Sequence, residues 1–485
     1  MELLAVVSLV GRLVVLFALL MAVPMAFAVL EHDQAQRAFV LAFAVTGGAG
    51  VLMSALTWRA KRSELQPRDG FVLVALTWLA LPAFGALPLV MALPGLSVTD
   101  AFFEAMSAFT ATGATALSGL DDLPVSVNVW RCLLQWVGGL GIIVLAVAIL
   151  PMLGVGGSQL FKAEITGPLK DQKLTPRIAD TARAIWGAYG LLSVACFAAY
   201  LAAGMSTLDA FLHMCTTVSL GGFSSHDLSF GFWDSPLIEA VAVLFMLLSG
   251  INLMLYFTAW RARSAFVLWR NSEVRAYCVA LLACIALIFL YVARWGSHDS
   301  LPEALRHTVF HVVSVATTTG YASVDYAAWP AFAPVLMLLL GCFITCAGST
   351  GGGIKMVRML LLLKQSRREL IRIVHPNVVN PVVLAGTAIP DRVMQSVIAF
   401  MMIYGATLVG LTMVLLFSGL EPFTAFTAVV ACVNNIGPGL GAVGPALNYG
   451  SLNDFQTWVC TVAMMLGRLE LLSVLVLFTP QFWRK

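Results

Sequence analysis

Charge is scarce in this 485-residue chain: Asp, Glu, Lys and Arg make up 11% of it, against 60% hydrophobic residues and a mean hydropathy of +0.90. A water-soluble globular protein carries about 25% charged residues, so the scarcity excludes one and leaves a polytopic membrane protein. A net charge of +3 with dispersed basic residues excludes a nucleic-acid groove. The nine cysteines form neither a Cys-x-x-Cys pair nor a loop framework, and they read as reduced packing residues; Cys342 and Cys346, four apart on a helix face, fit packing better than metal. His-Glu-x-x-His is missing, so His307 and His311 read as hydrogen-bonded side chains despite their metal-ligand spacing. No Gly-x-Ser-x-Gly elbow occurs, although a dispersed Ser/His/Asp triad is not excluded by composition.

What is plentiful is apolar runs. Ten approach the spanning length of about 20 residues, at 3–29, 38–57, 71–93, 129–153, 184–203, 237–259, 276–294, 332–347 with its continuation, 393–418 and 456–480. The first is long, lacks a small-residue cleavage site and reads as a retained helix rather than a signal peptide. Of the 28 basic residues, 22 fall in alternate connections: 59–68, 162–183, 261–275, 355–392 and the last two residues. The positive-inside rule makes those connections cytoplasmic and puts both termini inside.

Between outgoing and returning spans lie segments too short to cross and too apolar for free loops. Four of them align: "DAFFEAMSAFTATG" ending at Gly113, "DAFLHMCTTVSLGG" at Gly222, "HTVFHVVSVATTTG" at Gly320 and "TAFTAVVACVNNIG" at Gly437, the glycines 109, 98 and 117 residues apart. The repeat predicts an all-α membrane protein of four parallel helix–pore loop–helix units in pseudo-fourfold arrangement around one pore, after two additional N-terminal helices. The units are 70–160, 161–270, 271–375 and 376–485, with 1–69 preceding them. A helix of about 10 residues rises only about 15 Å, so each short segment turns back near mid-membrane, where non-helical backbone survives only in protein or beside a water-filled cavity. Glycine there lets carbonyls face an axis, and Thr110, Ser219, Thr317 and Asn434, three residues earlier, are short and polar. Four such loops would ring a cation with oxygen and turn the negative helix ends toward it. Asp100 and Asp209 would serve as helix caps. The stretches after the glycines hold no Lys or Arg but do hold Asp121, Asp122, Asp227, Asp234, Asp325 and Asp454, a balance that would concentrate cations at an outer mouth.

The motifs "TATGAT" (110–115), "SLGGFSSHD" (219–227), "TTTGYAS" (317–323) and "NNIGPGLG" (434–441), with "QWVGGLGIIVLAVAILP" (135–151), resemble those of the Trk/Ktr/HKT superfamily of potassium transporters, in order, over roughly 70–480. The two extra N-terminal spans are similar to its longer TrkH/TrkG branch. The resemblance implies a K⁺ filter made of Thr110, Ala111, Thr112, Gly113, Ser219, Leu220, Gly221, Gly222, Thr317, Thr318, Thr319, Gly320, Asn434, Asn435, Ile436 and Gly437. It further implies potassium as the transported ion, no covalently bound cofactor, a homodimer with one pore per subunit in a bacterial cytoplasmic membrane, and regulation by a TrkA-like cytoplasmic nucleotide-binding ring docking on 154–183 and 355–392. Some plant members carry Ser at the first filter glycine and favour sodium; Gly113 here favours potassium.

"CAGSTGGGIK" (346–355) nearly spells a phosphate-binding loop, but Ile354 intervenes before Lys355 and Met356 stands where a hydroxyl belongs. It therefore reads as a break in the third unit's return span. The resemblance implies an intramembrane gate of Gly348, Ser349, Thr350, Gly351, Gly352, Gly353 and Lys355. Arg468, near the middle of the last apolar run, would be costly facing lipid and should face the pore or an acid; Glu470, two residues on, points elsewhere. The family carries an Arg here close to the gate. An alternating-access monovalent cation symporter remains the alternative, and an intramembrane enzyme a more distant one.

Overall fold

A computed structural model describes residues 3–57, 67–141, 178–295, 300–384, 386–469 and 471–484. Outside the described residues lie the second half of the 129–153 run, the connection up to residue 177, and Glu470.

The chain is all-helical apart from one two-residue antiparallel pairing, Val383–Leu384 with Thr387–Ala388, among the described residues. Among the described residues, six helices are long and apolar enough to cross a bilayer: α1 (Leu3–Leu20) continuing into α2 (Ala22–Leu30), α3 (Gln36–Leu56), α4 (Pro67–Ala92), α7 (Ile178–Ala202), α12 (Ser272–Trp295) and α16 (Asp391–Phe417). Their outward faces are apolar, as a lipid-solvated surface requires, so the fold is held by close packing and internal hydrogen bonds more than by exclusion of water. Gly11 and Gly50 show this packing: a Cβ on either would lie 2.8–2.9 Å from the other helix's backbone, so α1 and α3 meet with no side chain between them. Phe17 then lies 5.5 Å from the Trp130 ring of α6 (Val125–Leu140), which fastens the N-terminal spans to the centre.

Two runs expected as straight spans are broken. The 237–259 run divides into α9 (Pro236–Ser249) and α10 (Leu253–Ala262), inclined at 85°. The break is stabilised on both sides: the Asn252 side chain accepts from Met254 N, and the freed Gly250 carbonyl accepts from Cys346 N at 3.1 Å. The last run divides into α18 (Asp454–Arg468) and a second helical stretch, Leu471–Phe478, at 108°. Arg468 is thus the terminal residue of α18 and not a mid-span cation. The 332–347 run holds only α14 (Phe332–Gly341), and helix resumes at α15 (Met356–Val374).

Candidate functional site

Four half-length helices converge from separate parts of the chain: α5 (Val98–Phe109), α8 (Thr207–Val218), α13 (Leu301–Ala316) and α17 (Pro422–Val433). Ser97, Ser206 and Ser300 cap the first three by accepting from the N–H three residues on, and the Glu421 carboxylate caps the fourth through Phe423 and Thr424. This corrects the role expected for Asp100 and Asp209. They are third helical residues whose carboxylates receive the capping hydroxyls, Ser97 at 2.7 Å and Ser206 at 2.8 Å.

At the other ends, the first loop residue folds back on its own helix. Thr110 and Thr317 donate to the carbonyls four residues earlier at 2.7 Å, Asn434 does so at 2.8 Å, and Ser219 reaches Thr216 O at 3.2 Å. Those four side chains are occupied with helix-end carbonyls; the feature the loops share beyond them is their backbone. Its conformation repeats fourfold: Ala111, Leu220, Thr318 and Asn435 have φ of 50°, 56°, 62° and 54°, and Gly113, Gly222, Gly320 and Gly437 have φ of 83°, 77°, 89° and 94°. Positive φ thus recurs at the second and fourth positions of every loop. For the four non-glycines that costs about 1–2 kcal/mol each, and only a fully packed site sustains it.

The four loops also close on one another in cyclic order. A Cβ on Gly113 would strike the Gly221 carbonyl, one on Gly222 the Thr319 carbonyl, one on Gly320 the Ile436 carbonyl, and one on Gly437 would lie 2.7 Å from the Thr112 carbonyl. Each loop's glycine therefore abuts its neighbour's third residue, and the fourth returns to the first. Asn435 Nδ2 reinforces that closing step with a 2.9 Å bond to Thr112 Oγ1.

Groups that sequence reasoning missed hold the ring from behind. Gln135 brackets the second loop, donating to Gly221 O at 2.7 Å and accepting from Phe223 N at 3.1 Å. Behind the first loop, Arg131 pairs with Glu104 at 2.7 Å, both fully buried, with the guanidinium 4.4 Å from the Phe223 ring centre; Glu104 also accepts from Thr115 and Ala116 N. Breaking such a pair costs about 3–5 kcal/mol because a charge is left buried and uncompensated. Tyr449 donates to Gly437 O at 2.9 Å. His307 bonds Ser323 Oγ and His311 bonds the His307 carbonyl; among the described residues no cluster suited to a metal ion occurs.

On the side of the helix C-termini, the chain between α14 and α15 wedges against the ring. Gly352 N donates to Thr318 Oγ1 at 2.9 Å, Thr350 Oγ1 donates to Val218 O at 3.1 Å, and a Cβ on Gly351 would lie 3.1 Å from Thr317 O. Lys355 turns back to donate to the Gly351 carbonyl, so the cation of the near-miss phosphate motif is spent inside its own loop. Arg468 donates to Thr350 O at 2.8 Å and to Gly138 O and Gly139 O, at the C-terminal end of α6, at 3.0 and 2.5 Å. Through these carbonyls it joins loop to helix. A cavity of about 140 Å³ lies against the loop, lined by Gly351, Gly352, Arg358, Asn435 and Arg468 among others, with room for several waters.

At the opposite rim the acid surplus is partly neutralised. Arg306 pairs with Asp234 at 2.8 Å and Glu239 at 2.9 Å. His226 bonds Asp121 through Nδ1, lies 3.3 Å from Asp209 through Nε2 and stacks on Phe232 at 3.6 Å. Burial works against a charged His226, but hydrogen bonds to Asp209 and Asp121 and their charges outweigh it and raise its pKa above the ordinary value. Burial likewise pushes Asp209 up, yet bonds from His226, Ser206 and Ser225 bring it down to about 2, so it stays ionised wherever His226 titrates. A raised histidine pKa contributes stability that is complete below the unfolded value of about 6.5 and is lost as pH rises through the folded one. His226→Gln is therefore expected to lower the melting temperature in detergent at about pH 6 and to show a smaller deficit at alkaline pH, above the raised pKa. An equal deficit at both would mean that His226 acts by stacking alone.

Comparison with known proteins accords with this arrangement. The TrkH family of cation transport proteins matches residues 35–485. The chain is 46% identical to the Trk system potassium uptake protein TrkH of Salmonella typhimurium over 99% of both chains, and 40% identical to the Trk system potassium uptake protein TrkG of Escherichia coli over 98% of this chain and 97% of that one. The crystal structure of the potassium transporter TrkH from Vibrio parahaemolyticus matches with a TM-score of 0.90 at 42% identity, covering 100% of both chains. With the family pattern running through nearly the whole sequence and all four loops, this chain belongs to the TrkH cation transport protein family, multi-pass membrane transporters rather than enzymes.

Proposed function

We propose that the chain carries potassium ions into the cell across the bacterial cytoplasmic membrane, through a filter formed by the four glycine-ended loops. The observation that carries the reading is the cyclic contact of Gly113, Gly222, Gly320 and Gly437 with their neighbours' carbonyls. A ring of backbone carbonyls replaces an ion's hydration shell, and the positive φ repeated at two positions of each loop supports a shared arrangement of those carbonyls. The half-helices end at the ring, so their negative ends favour a cation there. In this reading 70–160, 161–270, 271–375 and 376–485 are four parallel units in pseudo-fourfold array about one pore, 1–69 is an accessory pair of spans, and both termini are cytoplasmic.

The loop Gly348–Lys355 is the gate, held beneath the ring by Arg468. Control comes from a cytoplasmic nucleotide-binding ring of the TrkA kind, for which α15 offers a docking face with Lys364, Arg367 and Arg372 exposed. The working unit is a homodimer with one pore per chain. Potassium is cargo, and no cofactor is required.

The test is cation flux in liposomes containing the purified protein, with K⁺, Rb⁺, Na⁺ and Li⁺ compared with and without the nucleotide-binding partner. K⁺ and Rb⁺ are expected to pass in preference to Na⁺ and Li⁺, with unitary currents in planar bilayers. Saturating exchange without unitary currents would replace the pore with an alternating-access symporter, and equal passage of all four ions would remove the filter assignment.

A further inference from the structure

We propose that Glu273 is a positioning residue of the glycine loop: a single carboxylate oxygen pins both ends of the loop and so fixes where it closes. Glu273 Oε1 accepts from Ala347 N at 2.7 Å and from Val357 N at 3.1 Å. Those two N–H groups bracket the whole of Gly348–Lys355. One atom therefore closes the neck of an Ω-like loop whose tip reaches Thr318 and Val218.

The carboxylate is itself well placed to act as an anchor. Glu273 lies in the first turn of α12, and its own N–H donates to the Asn271 side chain at 2.9 Å, which fixes its backbone. Val357 is the second residue of α15, whose first-turn N–H groups have no partner within the helix. A carboxylate there satisfies one of them and also meets the positive end of the helix. The clamp thus spans three parts of the third unit: its first helix, the entry to the loop, and the start of the helix that leaves it. Retraction of the loop with α15 must break the Val357 bond. Retraction of the tip alone need break neither bond, so the clamp also decides which part moves.

The inference rests on the gating reading above, and the experiment separates the two. Basal K⁺ flux without the nucleotide-binding partner is measured in liposomes for the parent, Glu273→Ala, Glu273→Gln, a deletion of Gly348–Gly353, and Glu273→Ala in that deletion. Losing two charge-assisted hydrogen bonds that hold the closed position should raise flux by about tenfold or more in Glu273→Ala. Glu273→Gln, which keeps an acceptor oxygen without the charge, should fall between it and the parent. The K⁺/Na⁺ ratio should not change, and in the deletion background Glu273→Ala should add nothing. If the deletion raises flux while Glu273→Ala leaves it at the parental level, the clamp is wrong and the gate stands; if the deletion itself has no effect, the gate reading fails. A further rise in the deletion background, or a lowered K⁺/Na⁺ ratio, would also overturn the clamp. Should Glu273→Ala fail to fold, the isosteric Gln variant decides: raised flux supports the clamp and parental flux overturns it.

Discussion

Gly222→Ser is expected to lower the K⁺/Na⁺ flux ratio by about tenfold or more. Two effects act together. At φ 77° a side chain costs about 1–2 kcal/mol of backbone strain, and its Cβ occupies the space of the Thr319 carbonyl. That carbonyl must rotate or retreat, and roughly each 1.4 kcal/mol of lost preference is a factor of ten. Gly113 and Gly320 meet the Gly221 and Ile436 carbonyls in the same way, and Gly320 is further crowded by Pro438 Cδ at 2.7 Å. Gly437, with 2.7 Å to the Thr112 carbonyl, has the most space, so its Ser or Ala variants should be the mildest of the four. Flux ratios measured on folded protein check the series. Parental ratios in all four would show that the ring does not select ions.

The second large effect is expected from Arg468→Ala, which should raise K⁺ flux in the absence of the regulatory partner by at least about tenfold. The guanidinium holds Thr350 O on one side and two α6 carbonyls on the other, and charged hydrogen bonds contribute about 1.5–3 kcal/mol each. Without it the loop keeps the Thr350 and Gly352 contacts to the ring, and selectivity should survive. Deleting Gly348–Gly353 should raise flux further but is the less clean variant, since it also strips Thr318 Oγ1 of its partner at Gly352 N. Arg468→Ala protein that is stable, selective and no more conductive than the parent would make the glycine segment a packing break, with control elsewhere.

Much of this architecture was legible because it is written in local rules. Half-length apolar segments ending in Gly can be recognised from length and hydropathy alone, and the near-miss at Ile354–Met356 suffices to dismiss a phosphate loop. The Ser caps carried a local signature too, Ser-x-x-Asp at 97 and 206 and Ser-x-x-Glu at 300, which favours Ser over the acid as the cap. Asn252 following Gly250 was a comparable sign that the 237–259 run would break. Other features had no local signal. Nothing in Ala111, Leu220 or Thr318 as residue types announces a left-handed backbone; only the packing of four loops imposes it. Arg468 looked mid-span because hydropathy runs on past it, although the helix stops there. Contacts such as Arg131 with Glu104, or Glu273 with both Ala347 and Val357, join residues 27 to 84 positions apart and become visible only in three dimensions.

All four arms of the ring are encoded in one chain, so a codon change alters a quarter of it. A ring built from four identical subunits would receive every change four times: a strain of about 1–2 kcal/mol per arm would become about 4–8, comparable with the 5–15 kcal/mol that keeps a typical domain folded. Here the same step is taken once and can be judged on its own. Thr-Ala-Thr-Gly, Ser-Leu-Gly-Gly, Thr-Thr-Thr-Gly and Asn-Asn-Ile-Gly have the outcome of such freedom written in them: one backbone shape, four vocabularies. Encoding the four arms separately thereby turns an all-or-nothing aperture into one that can change by single, survivable increments, its geometry tuned one arm at a time.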